Sequence, residues 1–392
     1  MTDHFIQSGE KLLRCGYTTG TCAALAAQGA ARLLLTGTAP ASVSVQTPKG
    51  WTVDVEPAFC ARDEAGEAVS CGIRKDAGDD PDITNGMTVV ATVSKGTDGR
   101  IAIDGGEGVG RVTKPGLDQP VGAAAINRVP RAMIEHVLRD LLEELELDLA
   151  TLGGLDVIIS IPGGAEKAQK TFNPKLGIEG GLSVLGTSGI VEPMSEQALI
   201  DTIAVELRQA AALQSEAGVE RLSVLLTPGN YGKDFLEAQG WTDIGVPLVK
   251  ISNYVGAALD AAAEAGFADV LLTGHIGKLV KVAGGAKNTH SAVSDRRMEL
   301  FAKHAAQCGA DGATCRILRA AATTDACLAT LDDKGLRDAV VQSLGAAVQK
   351  QLNEWTGATC RVGAAIFSKE YGLLYISPEA EEMLRQWKEN ER

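Results

Sequence analysis

The sequence predicts an α/β protein with two domains: an N-terminal α+β domain with a mainly antiparallel sheet (residues 1–150), and a doubly wound parallel-sheet domain with a helical C-terminal part (residues 151–392). Three observations predict this fold class. The chain has 392 residues, which is long for a single hydrophobic core. Residues 42–103 consist of short alternating apolar runs separated by turn residues, as in a sheet of hairpins. Beyond Gly153 and Gly154, continuous apolar runs alternate with helical segments, as in a parallel sheet.

The first predicted helix begins in a stretch rich in hydroxyl groups. Thr18, Thr19 or Thr21 can serve as its N-cap. The alanine-rich stretch Ala23–Leu35 would form its body and Gly37 its C-terminal cap. Free N–H groups and the positive end of the helix dipole would suit a carboxylate or a phosphate. A helix that is simply well capped explains the same residues equally well, so both interpretations stay open.

The segment Asp104–Arg111 imitates a nucleotide-binding loop through the spacing of Gly106, Gly108 and Gly110. A helix should follow such a loop, whereas Val112–Gly116 breaks the chain again. We therefore predict a glycine-rich loop of the first domain and no cofactor fingerprint.

The second domain is predicted to be Rossmann-like, because its apolar strands are joined by helical crossovers. Ligands of such sheets bind beyond the carboxyl ends of the strands. Three of the predicted strand ends carry polar residues, in the segments Thr227-Pro-Gly-Asn, Ser252-Asn and Thr273-Gly-His. The predicted strands are Leu155–Ile161, Leu222–Leu226, Leu248–Ile251 and Val270–Leu272.

The stretch Leu271–Asp295 follows the last of these strand ends and is unusually polar. It contains two histidines, four glycines and three lysines. A lone histidine is more often a packing residue, but this clustering at a strand end favours a ligand site over a structural loop.

Composition excludes several classes of protein. A formal net charge of −13 argues against a nucleic-acid partner, which would require a basic face. None of the eight cysteines forms a C-x-x-C pair, so no metal site is predicted. No secretory signal and no apolar run of about 18 residues is visible, which argues against a membrane span. Together these features predict a cytoplasmic protein with free thiols.

Several motifs occur together and in one order along the chain. They are Gly16–Ala24, Gly106–Gly110, Val112–Leu117, Ala125–Arg131, Thr171–Ile178, Gly186–Ser195 and Leu271–Ser291. In these motifs the chain resembles the cobalt-precorrin-5B C1-methyltransferase family of anaerobic cobalamin biosynthesis, from about residue 14 to about residue 300. It departs from the family at Val121–Arg128, where Gly-Glu-Pro-Ala-Ile-Asn-Pro is expected, so an essential acidic role there is in doubt.

This resemblance implies S-adenosyl-L-methionine as the methyl donor and a cobalt-bound, anionic tetrapyrrole as the acceptor. Methylation of ring carbon C-1 would give cobalt-precorrin-6A. The cobalt would arrive with the substrate, so the protein needs no metal site of its own. Neither a nucleic acid nor a membrane is implied as a partner, and self-association into a homo-oligomer is left open.

Candidate site residues follow from the resemblance and from the strand ends. The acceptor is a polycarboxylate, which predicts basic and hydroxyl groups around it. Strand-end backbone and amide groups would hold the donor. A histidine could remove the proton lost from the macrocycle, although alignment alone can supply much of the rate. The substrate set is Thr18, Thr19, Thr21, Lys114, Arg131, Lys175, Lys278 and Lys281; the donor set is Thr227, Gly229, Asn230, Asn253, Gly274 and Gly277; the catalytic candidates are His275 and His290.

Two other functions compete with methyl transfer. The hydroxyl-rich helix start would suit a small-molecule phosphotransferase, but no G-x-x-x-x-G-K-[ST] loop is present. A tetrapyrrole carrier without catalytic activity would bind the corrinoid and show no affinity for the donor.

Overall fold

The computed structural model describes residues 4–8 and 11–390. The chain divides into two compact units, Met1–Ser195 (the first unit) and Glu196–Arg392 (the second unit). Within the described residues, no helix is long and apolar enough to cross a membrane.

The first unit is an α+β fold with a mainly antiparallel five-stranded sheet, as the sequence predicts. The elements are β1 (Phe5–Ser8), β2 (Lys11–Arg14), β3 (Gly16–Tyr17), α1 (Thr19–Thr36), β4 (Val43–Gln46), β5 (Thr52–Val55), β6 (Phe59–Arg62), β7 (Ala68–Arg74), β8 (Thr88–Lys95), β9 (Ile101–Gly105), β10 (Arg111–Val112), α2 (Arg128–Glu144), α3 (Leu149–Leu152), β11 (Leu155–Ser160), α4 (Gly164–Ala168), β12 (Ile178–Glu179) and β13 (Ile190–Val191). The strand order of the sheet is β6-β7-β8-β11-β9, and within this sheet β11 and β9 are the one parallel pair.

Helix α1 packs on this sheet through small side chains. Its alanines and Gly29 are buried, and a Cβ atom on Gly29 would lie 2.6 Å from Sγ of Cys71 in β7. The predicted caps are confirmed: Thr18 accepts a hydrogen bond from the N–H of Thr21, and Gly37 ends the helix in the left-handed conformation. Because the side chains of α1 that face the sheet are small, the helix can pack close to the strands.

The pairing of β11 differs from the sequence prediction. This strand was predicted to open the parallel sheet of a second domain that starts at residue 151. It lies instead between β8 and β9 of the first unit, antiparallel to the former and parallel to the latter. That assignment was wrong because an apolar run does not reveal its pairing partners.

The predicted state of the cysteines also needs correction. Cys60 and Cys71 face each other on the antiparallel strands β6 and β7 and are joined by a disulfide. The prediction of free thiols is wrong for this pair, because cross-strand pairing brings together residues that are 11 positions apart. The other six cysteines are free.

In the glycine-rich segment after β9, the backbone at Gly108 lies in direct contact with the backbone of residues 161–164; we call this contact the Gly108 crossing. A Cβ atom on Gly108 would lie 1.9 Å from the carbonyl oxygen of Ile161, and one on Gly164 would lie 2.3 Å from the carbonyl oxygen of Gly108. The N–H of Leu182 donates to that same Gly108 oxygen at 2.9 Å. The strand β10 follows, not a helix, so the segment is a packing feature of the first unit.

The second unit is a doubly wound α/β fold, also as predicted. Its elements are α5 (Glu196–Glu216), β14 (Ser223–Thr227), α6 (Asn230–Ala238), β15 (Leu248–Lys250), α7 (Val255–Glu264), β16 (Asp269–His275), α8 (Ile276–Ala283), α9 (Arg297–Gln307), α10 (Gly312–Ala320), α11 (Thr324–Asp333), α12 (Arg337–Thr356), β17 (Arg361–Ser368), β18 (Gly372–Ile376) and α13 (Pro378–Asn390). The sheet order is β15-β14-β16-β17-β18, parallel except for the edge strand β18.

Both faces of this sheet are covered by helices. Leu226 and Leu272 pack with α5, α7 and α8 on one face. Their neighbours Leu225 and Leu271 pack with α6 and α13 on the other. Because the chain leaves β14 through α6 toward β15 but leaves β16 through α8 toward β17, the winding reverses between β14 and β16. Such a reversal is where open α/β sheets bind ligands.

The Gly108 crossing yields a stability prediction. Gly108→Ala combines a left-handed backbone (φ 71°) with the contact to Ile161, whereas Gly122→Ala has φ 89° and no atom within 4 Å of the new Cβ. The left-handed conformation costs both variants roughly 1–2 kcal/mol. We expect Gly108→Ala to lose a further 1–3 kcal/mol, roughly, of unfolding free energy from overpacking. Urea denaturation measures both, and equal losses would contradict the crossing.

Candidate functional site

The C-terminal ends of four parallel strands lie along one edge of the second unit's sheet. We call this the strand-end edge, and it comprises residues 227–230, 251–254, 273–278 and 367–369. The register fixes which ends are neighbours: Thr227 pairs with Lys250, and His275 pairs with Phe367. All six residues of the predicted donor set belong to this edge.

The backbone is open at the start of α6. Gly229 precedes this helix with φ 91°, and a Cβ atom on it would meet no atom within 4 Å. No side chain caps the helix. The amide oxygen of Asn230, the first helical residue, accepts a hydrogen bond from Nζ of Lys250 at 3.3 Å. This end of β14 therefore offers free space and polar groups together.

Thr227, which is predicted to contact the methyl donor, is a fully buried residue at the end of β14. Its hydroxyl and that of Thr273 are buried and lack a hydrogen-bond partner. A Cβ atom on Gly232 would lie 1.6 Å from Oγ1 of Thr227, so this hydroxyl faces the first turn of α6. Thr227 therefore packs against the first turn of α6. The lack of a side chain at Gly232 leaves space for the Thr227 hydroxyl.

His275 ends β16 and caps helix α8. Its Nδ1 accepts a hydrogen bond from the N–H of Gly277 at 3.1 Å. Burial lowers the pKa of His275, which favours the neutral ring at neutral pH. With Nδ1 acting as the acceptor, the proton of the neutral ring is assigned to Nε2. His275 therefore presents an N–H donor, and this geometry does not favour the role of general base.

His290 has a similar arrangement in an exposed loop. Its Nδ1 accepts a hydrogen bond from the backbone N–H of Ala292 at 3.2 Å. The backbone N–H of His290 donates to Oδ1 of Asn288. Both histidines use one ring nitrogen to hold the backbone, so each is better suited to orient a neighbouring group than to remove a proton.

Two lysines of the predicted substrate set lie on α8. Nζ of Lys278 donates to Oδ1 of Asn253 at 2.9 Å, at the end of β15. Nζ of Lys281 is buried and donates to the carbonyl oxygen of Thr289 at 2.9 Å. Burial lowers the pKa of both ammonium groups. The structure thus links α8 to the loop after β15 and to the polar stretch that follows α8.

The predicted substrate residues of the first unit have other partners. The hydroxyls of Thr19 and Thr21 donate to the carbonyl oxygens of Leu185 and Gly189 at 3.2 and 2.6 Å. Thr18 caps α1. These hydroxyl groups are occupied by the protein itself, which favours the interpretation of a well-capped helix over that of an anion site.

The three basic residues of the first unit differ in exposure. Arg131 is partly buried and donates to the carbonyl oxygens of Ile126 and Ile103, each at 2.8 Å. Lys114 is half-buried, and its aliphatic chain lies over Gly177. Lys175 is exposed, with its Nζ 5.5 Å from the centre of the Phe172 ring. Arg131 therefore supports the fold, while both lysines remain near solvent.

Sequence reasoning missed the contribution of β17. Its C-terminal residues Phe367 and Ser368 lie beside His275, and the rings of Phe367 and Phe235 stack at 4.3 Å. Oγ of Ser368 donates to Asp325 at 2.6 Å. The signal was the apolar run from Val362 to Phe367, which is as continuous as those of the other parallel strands.

Comparisons with known proteins agree with the motifs. A sequence model of the CbiD family matches residues 6–193, and a model of the CbiD C-terminal domain matches residues 288–378. The chain is 44% identical over 366 residues to the cobalt-precorrin-5B C(1)-methyltransferase of Ruminiclostridium cellulolyticum, covering 93% of this chain and 92% of the relative. It is 42% identical over 384 residues to that of Alkaliphilus metalliredigens, covering 98% and 97%.

The chain belongs to the CbiD family.

The CbiD match extends to residue 378, further than the resemblance by motifs, which ended near residue 300. A crystal structure of the cobalamin biosynthesis protein CbiD from Archaeoglobus fulgidus shares 26% identity, covers 75% of this chain and 87% of that chain, and has a TM-score of 0.40.

The cap at His275 yields a prediction for this CbiD protein. His275→Asn keeps a side-chain acceptor at the N-cap, so we expect kcat to fall by less than about tenfold, because no base catalysis worth about 10²–10⁴ is lost. His275→Ala removes the cap and should lower the unfolding free energy by about 1 kcal/mol. Steady-state methyl transfer and urea denaturation measure these effects. A loss of more than a hundredfold in a fully stable His275→Asn variant would show that Nε2 takes part in the chemistry.

Proposed function

We propose that this protein is a cobalt-precorrin-5B C1-methyltransferase that uses S-adenosyl-L-methionine as its methyl donor and yields cobalt-precorrin-6A. The observation that carries the proposal is that relatives at 40–44% identity over most of the chain are named for this reaction. The cobalt belongs to the substrate.

The donor would bind at the strand-end edge of the second unit. Three features support this location: the reversal of winding between β14 and β16, the open space at Gly229, and the amide groups of Asn230 and Asn253. Gly274 and Gly277 lie on the same edge, at the end of β16 and the start of α8. The amide and backbone groups suit the ribose and amino-acid parts of the donor, so the residues present fit this ligand.

When bound, the donor supplies an electrophilic methyl group. The protein would contribute alignment of the acceptor carbon and exclusion of water, which can provide much of the rate of such a transfer. His275 would act as an N–H donor that orients a ligand, in keeping with its cap geometry. No proton acceptor among the side chains is required for the methyl transfer itself.

The acceptor is an anionic tetrapyrrole, whereas the protein carries a net charge of −13. Local basic groups must therefore attract it. In the second unit we propose Lys278 as a candidate, with Lys281 adding positive charge behind it. The near-solvent Lys114 and Lys175 of the first unit are separate candidates. For Thr18, Thr19, Thr21 and Arg131 we propose only indirect roles, because their polar groups bond to the backbone.

We also propose a cytoplasmic location. The proposal rests on six free cysteines, five of them buried, set against one cross-strand disulfide, Cys60–Cys71.

Turnover of the purified protein with cobalt-precorrin-5B and methyl-labelled S-adenosyl-L-methionine tests the function. We expect label to appear on the tetrapyrrole in a 1:1 ratio with S-adenosylhomocysteine. Tight tetrapyrrole binding without affinity for the donor would instead identify a carrier. Consumption of ATP without methyl transfer would identify a phosphotransferase.

A further inference from the structure

Of two lysines on one face of α8, one is buried and the other is half-buried. Lys278 and Lys281 are three positions apart, so their side chains are neighbours on successive turns of the helix. Lys281 is only 4% exposed, and Lys278 is half-buried. Burying an ammonium group is costly unless an anion compensates it.

No such anion is present among residues 4–8 and 11–390. Neither ammonium group lies within ion-pair distance of an Asp or Glu side chain in that part of the chain. Their acceptors are neutral: an amide oxygen of Asn253 and the carbonyl oxygens of Ser252 and Thr289. Asp295, whose charge acts on Lys281, is itself paired with Arg297 at 2.8 Å. The cluster therefore has a positive charge that the surrounding protein leaves uncompensated.

The backbone around the pair is held in place. Ser252 has a left-handed conformation (φ 50°) although it is not glycine. The N–H of Thr289 donates to the carbonyl oxygen of Asn253 at 2.8 Å, and the N–H of Gly256 donates to that of Lys287 at 2.9 Å. A residue held in a rare conformation by its neighbours is typical of functional sites.

The two lysines differ in what they can reach. Nζ of Lys281 is buried beneath the segment that contains Thr289, so it cannot touch a ligand directly. Lys278 is half-buried and reaches the end of β15, on the strand-end edge. We propose that Lys278 binds a carboxylate group of a ligand at the strand-end edge, and that Lys281 is a positioning residue that holds the 286–290 segment and adds positive charge beneath it. This inference rests on the proposed function for the identity of the ligand.

Two ligands of the proposed reaction carry carboxylates. One is the amino-acid part of the methyl donor, and the other is a side chain of the tetrapyrrole. Both would make the same charge-assisted hydrogen bond to an ammonium group.

The test compares Lys278→Met, Lys278→Arg and Lys281→Met with wild type. Lys350→Met is the matched control, because Lys350 lies on α12 of the same unit with an exposed side chain paired to Glu354. Calorimetry measures binding of S-adenosyl-L-methionine and of 5′-methylthioadenosine, which lacks the carboxylate. Absorbance titration measures binding of the cobalt tetrapyrrole, and urea denaturation verifies that each variant is folded.

If the carboxylate belongs to the donor, Lys278→Met weakens S-adenosyl-L-methionine by about ten- to a hundredfold and leaves 5′-methylthioadenosine unchanged. If it belongs to the tetrapyrrole, the same loss appears in the tetrapyrrole titration. Lys278→Arg should restore part of the affinity in either case. Lys281→Met should weaken the same ligand by a smaller factor.

The inference is overturned if Lys278→Met differs from Lys350→Met by less than about twofold for both ligands, the range expected for a screened surface charge. Wild-type turnover separates the two proposals. If wild type transfers methyl groups and Lys278→Met is unaffected, only the lysine site fails. If wild type binds tetrapyrrole through Lys278 but has no affinity for the donor, only the methyltransferase function fails.

Discussion

The parallel pairing of β14, β15, β16 and β17 is the constraint on which the candidate site depends. Parallel strands must be joined by crossovers, so the loop after every strand lies at the same edge of the sheet. Residues far apart in sequence, such as Gly229, Asn253, His275 and Phe367, are neighbours at that edge for this reason alone. The reversal of winding between β14 and β16 opens the edge, because α6 and α8 leave toward opposite faces of the sheet.

The side chains at this edge offer hydrogen-bond donors and positive charge. His275 holds the start of α8 through Nδ1 and presents an N–H group, and two lysines on α8 lack a carboxylate partner in the described part of the chain. Such groups hold anionic ligands in place and do not accept protons. That agrees with methyl transfer by alignment, in which the protein must position two ligands and keep water away.

Local patterns in the sequence predict much of this, and non-local pairings account for the errors. The sequence predicts a helix cap among Thr18, Thr19 and Thr21, and it predicts the polar ends of β14, β15 and β16, because these features depend on adjacent residues. The pairing of β11 with β8 and β9 cannot, because its apolar run would suit either sheet. The bonds from Thr19 and Thr21 to residues 185 and 189 could not be foreseen for the same reason: only the folded chain shows that these hydroxyls already have partners.

Amide hydrogen exchange with and without saturating S-adenosyl-L-methionine tests most directly whether the strand-end edge holds the methyl donor. The amides that a ligand covers should exchange more slowly because their local opening is suppressed. We predict protection in peptides that contain residues 227–232, 251–256 and 273–278, with none in peptides that contain residues 18–21. Protection confined to the first unit, or none at saturation, would contradict the account.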